Sequence, residues 1–79
     1  MTKIVHTENS IYKIEQIYPS STYRITKIAE ARPSAFYSIG ERIDADRVHL
    51  ALGLGMTFWD NGRFRSMHTS RVTAIYDMV

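Results

Sequence analysis

One stretch near the middle of the chain, Met56-Thr57-Phe58-Trp59-Asp60-Asn61-Gly62-Arg63-Phe64-Arg65-Ser66-Met67, constrains the fold more than any other. Asn-Gly sits between two aromatic-rich runs, and a type I′ turn needs φ > 0 at both central positions, which these two residues tolerate. With Asn61-Gly62 as a two-residue turn, Asp60 faces Arg63, Trp59 faces Phe64, Phe58 faces Arg65 and Thr57 faces Ser66. Opposed residues share a sheet face and alternate residues switch faces. One side of the ribbon then carries Trp59 and Phe64, and the other carries Phe58, Arg63, Arg65 and Asp60. The first face is expected to anchor a core and the second to form a contact surface.

The rest of the chain reads as further strands. Residues 3–7 and 10–14 are β-type and separated by Glu8-Asn9, a tight hairpin in which Asn tolerates positive φ. Pro19-Ser20-Ser21 breaks the chain after Ile17-Tyr18, and residues 22–28, rich in β-branched and aromatic types, follow as a strand. Arg32-Pro33-Ser34 marks a loop, and residues 36–40 a short extended piece.

Residues 44–52 read in two ways. Asp44 would cap a short helix with Val48 and Leu52 four apart and Gly53 as its stop. Alternation of Val48, Leu50 and Leu52 with His49 and Ala51 suits a strand, and Leu52-Gly53-Leu54-Gly55 would interrupt a helix after two turns. A strand or irregular segment is therefore favoured. Residues 71–76 form a last strand after the polar corner His68-Thr69-Ser70, which suits a one-turn 3₁₀ connection. Short strands with closely spaced turn signals predict an all-β fold. The expectation is one SH3-like or OB-like barrel over residues 1–79, with five or six short antiparallel strands and room for one short helical turn.

Seventy-nine residues allow one domain and a small core. The absence of cysteine excludes disulfides, thiolate zinc sites and a cysteine nucleophile, and fits a reducing cytoplasm. No apolar run approaches the ~20 residues needed to span a bilayer. The opening Met1-Thr2-Lys3-Ile4-Val5-His6 lacks the apolar core of a signal peptide. A net charge of +2 admits an anionic partner without demanding one, and a hydrophobic fraction of 44% speaks against a disordered tail.

Catalytic signatures are missing. Ser10, Ser38, Ser66 and Ser70, with His6, His49 and His68, form no nucleophile-elbow pattern. Asp44 and Asp46 are the only close pair of carboxylates and suit a solvated loop. The histidines lack metal-ligand spacing, and Gly53-Leu54-Gly55 lacks the third glycine of a dinucleotide fingerprint. A non-enzymatic protein with no cofactor and no metal is expected.

The aromatic and arginine face carries the binding expectation. Phe58 beside Arg63 and Arg65 offers a stacking plane next to cations, as a nucleotide signal or nucleic acid would use, with Arg47 and Arg71 extending the patch. The same residue types concentrate in protein hot spots, so a protein partner fits equally well. Alternatively, the arginine stems only cover Phe58 on a solvated sheet. Five tyrosines in so small a chain, Tyr37 among the candidate contacts, are expected to be mostly part-exposed and to favour binding or self-association.

Thr7-Glu8-Asn9-Ser10-Ile11-Tyr12-Lys13-Ile14 and Thr69-Ser70-Arg71-Val72-Thr73-Ala74-Ile75 resemble an arrangement in small, uncharacterised bacteriophage-encoded accessory proteins. Those carry Thr-x-Asn-Ser-x-Tyr-x-hydrophobic near the start and Thr-Ser-x-Val-x-x-Ile near the end. Arg71 stands where proline is frequent, and the middle of the chain has no counterpart. The resemblance implies a phage accessory protein in the bacterial cytoplasm, of a kind that binds and inhibits a host or antiviral-defence protein.

Overall fold

The first hairpin shows how the chain builds its sheet. β1 (Thr2–Thr7) turns at Glu8-Asn9 into β2 (Ser10–Ile17). The buried Thr7 hydroxyl accepts the N–H groups of Ser10 at 3.0 Å and Asn9 at 3.4 Å. Neither turn residue takes positive φ, so a side-chain bond closes this hairpin and the conformational tolerance of Asn is not used. The computed structural model describes residues 2–17, 22–33 and 37–78. Four strands follow: β3 (Thr22–Glu30), β4 (Arg42–His49), β5 (Gly55–Asp60) and β6 (Arg65–Met78).

Each strand pairs antiparallel with the next, and β6 returns to β1 to close the ring. The order is strictly sequential, without the Greek-key crossover of an OB-fold. Residues 44–49 belong to a strand, and no helical turn occurs among the described residues. The expected break at Pro19-Ser20-Ser21, with Tyr18 before it, lies outside the described residues. So do Ser34 and Phe36, while Ile39-Gly40 is a turn and not part of an extended piece.

The 3₁₀ corner expected at His68-Thr69-Ser70 is absent, because β6 runs through it unbroken. Thr69 Oγ1 accepts the Met56 N–H at 3.0 Å and donates to the Ser70 carbonyl at 2.7 Å. Beyond it β6 leaves β5 and joins β1, with Arg71 opposite Gly55 and Val72 opposite Thr7. A Cβ on Gly55 would lie 2.5 Å from the Thr69 carbonyl oxygen, so only glycine fits at this crossing.

Alternation along the strands fills the interior. Val5, Tyr12, Ile14, Ile25, Ile43, Ala45, Met56, Phe58, Met67 and Val72 form the core, joined by Tyr37 from the β3–β4 connection. Register shifts in four ladders supply the local bending that a six-stranded ring requires.

The central hairpin differs from the expectation in both register and faces. Asp60 pairs with Arg65, Trp59 with Ser66 and Phe58 with Met67, which leaves a four-residue loop from Asn61 to Phe64. Gly62 has no positive φ; Phe64 takes the left-handed conformation instead, at φ 52°. Phe58 faces the core, 2% exposed, whereas Trp59 is half-buried on the outer face and Phe64 is 79% exposed. A side chain explains the longer loop. Asp60 Oδ1 accepts the Arg63 N–H at 3.1 Å, an Asx-type bond that holds the turn open by two further residues.

Candidate functional site

Asp60 ends β5 on the inward face shared by Met56 and Phe58, and is 1% exposed. A carboxylate at such a position needs partners, because an unpaired buried charge is strongly unfavourable. It has three. The Tyr37 hydroxyl donates to Oδ2 at 2.7 Å, Arg63 Nη1 donates to the same oxygen at 3.2 Å, and the Arg63 N–H takes Oδ1. Arg63 Nη2 reaches across to Glu41 Oε2 at 2.7 Å, so one guanidinium ties the β5–β6 loop to the start of β4. Its carbon stands 5.0 Å above the Tyr37 ring centroid, a cation–π distance. Behind Tyr37, the Phe58 ring lies 6.4 Å away, centroid to centroid.

The backbone around Tyr37 is anchored from β3. The fully buried Lys27 donates to the Tyr37 carbonyl at 3.1 Å and is paired with Glu30 at 2.5 Å. The Gly40 N–H donates to the Lys27 carbonyl at 2.6 Å, and Glu41 accepts the Ser38 N–H at 3.0 Å. Tyr37 thereby plugs one end of the barrel, and the loop carrying Phe64 is clamped against it.

Electrostatics keeps each group in the state that the clamp needs. Burial, then the hydrogen bond and charge of Asp60, push the Tyr37 hydroxyl well above the usual tyrosine range, against the opposing pull of Arg63 and Arg65. Burial also acts to raise Asp60, but the Tyr37 hydroxyl and the Arg63 N–H and guanidinium outweigh it and hold the carboxyl below its ordinary value. The Ser38 N–H, then Arg63, lower Glu41. At neutral pH the phenol donates, both carboxylates accept and the guanidinium is charged. None of these four groups is drawn towards neutrality, where proton transfer is most efficient. The arrangement is suited to holding a loop.

Four of the six expected contact residues meet here: Phe58, Tyr37, Arg63 and Arg65, the last opposite Asp60 across the ladder. Phe58 is not the exposed stacking plane, because it supports Tyr37 from inside the core. Arg47 and Arg71 lie elsewhere. Arg47 takes φ 55° in the β4–β5 register shift, and Arg71 pairs with Glu8 at 3.3 Å at the β6 crossing. Of the four described tyrosines, Tyr12 and Tyr37 are buried, Tyr23 packs partly buried against the core, and only Tyr76 is mostly exposed.

The residues missed from sequence are Asp60 as the hub, Glu41 as its outer partner, and Phe64 as an exposed aromatic. Asp60 precedes an Asn-Gly pair, where an Asx turn is common, and that signal was available. Glu41 comes from a distant loop and leaves no local trace.

Two further apolar side chains belong to the segments that the clamp joins: Ile39, 57% exposed beside Glu41, and Ile28, 43% exposed beside Lys27. Among the described residues no group of histidine or acidic side chains is arranged to hold a metal ion, and no helix is long and apolar enough to cross a membrane. A closed, sequentially ordered six-stranded barrel with one clamped hairpin is thus the class that the geometry defines. No protein-family model, no curated protein and no solved structure matches the chain.

Proposed function

We propose that this chain acts without catalysis, by stoichiometric binding to a protein partner, with Phe64 as the anchor. The observation that carries the reading is the state of Phe64. A phenylalanine 79% exposed, at φ 52°, is unfavourable both in hydration and in backbone conformation. The residue before it, Arg63, is tied to Asp60 and Glu41, and Asp60 in turn to Tyr37, so the loop that carries Phe64 is anchored on its N-terminal side. Strained, pre-ordered aromatics are what a hot spot uses, since little conformational freedom is left to lose on binding.

The resemblance of the chain ends to phage accessory proteins supports a partner in the bacterial cytoplasm, a host or antiviral-defence protein that the chain inhibits. A nucleotide or nucleic-acid ligand has less to draw on, because the Arg63 charge is already balanced by Asp60 and Glu41. Immobilised wild-type protein and Phe64→Ser, matched for fold by circular dichroism, test the reading against bacterial lysate and then against the purified partner. The variant is expected to lose about 2 kcal/mol or more of binding energy. Capture of the same partner with undiminished affinity would refute the anchor role.

A further inference from the structure

The two barrel ends are finished differently. Tyr37 plugs one, while at the other the inward-facing Lys3, Ile14, Gln16, Tyr23, Val48 and Leu50 surround an open pocket of about 140 Å³. Lys3 shares the face of Val5, Gln16 that of Ile14 and Tyr23 that of Ile25, so these side chains continue the core towards the mouth. Val48 and Leu50 reach it through the β4–β5 register shift. Arg47, at φ 55°, adds a residue there and turns the alternation set by Ile43 and Ala45. We propose that this mouth binds one uncharged apolar group of up to about benzene size, at a site separate from Phe64.

Size sets the upper limit: a cavity of about 150 Å³ lined by aliphatic and aromatic side chains is known to admit benzene. Lining chemistry sets the class. Ile14, Val48, Leu50 and the Tyr23 ring give water few partners, so an apolar group displaces it favourably. Charge sets the neutrality. The Lys3 ammonium at the rim is already paired with Asp77, so an anionic head group would meet a balanced pair and not a lone cation. The group can arrive as a free molecule or as a partner's side chain.

Titration of the isotope-labelled protein with benzene, followed by NMR and by melting temperature, tests this. Saturable shifts centred on Ile14, Val48 and Leu50, with a raised melting temperature, are expected. Benzoate and naphthalene, one charged and one too large, should bind at least about tenfold more weakly. Leu50→Trp, which fills the mouth, should weaken benzene by a similar factor, and Phe64→Ser should leave it unchanged. N-acetylphenylalanine amide run beside benzene distinguishes the sources: saturation by either at these residues supports the site, and the tighter one names its origin. Non-saturating shifts with both, or benzoate binding as well as benzene, would overturn the proposal whether or not Leu50→Trp folds. Because Phe64 takes no part, failure here leaves the hairpin reading standing, and the reverse holds too.

Discussion

Replacing Tyr37 with phenylalanine removes one oxygen from the clamp and leaves its ring in place. That oxygen donates at 2.7 Å to Asp60, and both residues are almost fully buried, so no water takes over the bond. A hydrogen bond to a buried charge contributes about 1.5–3 kcal/mol. Asp60 keeps the Arg63 N–H and guanidinium, so the loss should fall near the lower part of that range, about 2 kcal/mol. For a domain of this size that corresponds to roughly 8–16 °C in melting temperature. The effect should also depend on pH in a set direction. The folded-state pKa of Asp60 is depressed, so its stabilisation is present above the ordinary carboxylate value of ~4 and is lost as pH falls through the lower folded value. Without the hydroxyl that value moves back up, and the acid-side loss becomes shallower. Urea denaturation followed by circular dichroism, from pH 7 down to pH 2, should show the gap between the two proteins widest at neutral pH and narrowing in acid. Equal stability at pH 7, or a gap that does not change with pH, would refute the clamp.

Phe58→Ala should cost about 3–5 kcal/mol and Trp59→Ala clearly less, a ranking by chemical denaturation that reverses if the faces are assigned wrongly. Gly62→Ala should leave stability within about 0.5 kcal/mol, because its φ is not positive and a Cβ meets only Asp60 Oδ1 at 3.5 Å. Gly55→Ala, forced against the Thr69 carbonyl, should lose about 1–3 kcal/mol in the same assay. Phe64→Gly relieves a left-handed residue and should stabilise the fold by about 1 kcal/mol while abolishing partner capture; a variant no more stable than the wild type would remove the case for strain held in reserve.

The barrel is legible from strand-sized runs and turn signals, and the β1–β2 turn falls where the sequence puts it, whereas the β5–β6 hairpin falls at Asn61-Gly62 with a longer loop and another register. The face of the central ribbon is not legible. Asp60 shares the inward side with Phe58, and a carboxylate speaks against burial until its partners are known. Those partners are Tyr37, from the β3–β4 connection, and Arg63, which by a two-residue turn would stand opposite Asp60 in the ladder and not fold back over it. The Tyr37 contact, 23 residues away in the chain, carries no period or motif. Composition therefore points to the arginine and aromatic cluster, while a two-residue turn inverts its geometry: it places Phe64 inside and Phe58 outside, the reverse of the fold.

The strictly sequential order of the strands has a kinetic consequence. Five of the six ladders join strands adjacent in the chain and can form one hairpin at a time, each closing a modest loop. The sixth brings together Thr2 and Met78, from opposite ends of the chain. The entropy of long-range closure thus falls on one late event, the docking of the far half of β6 along β1. Transient opening should begin at that seam, turning the ring into a curved meander while the other five ladders, and the clamped hairpin within them, stay intact.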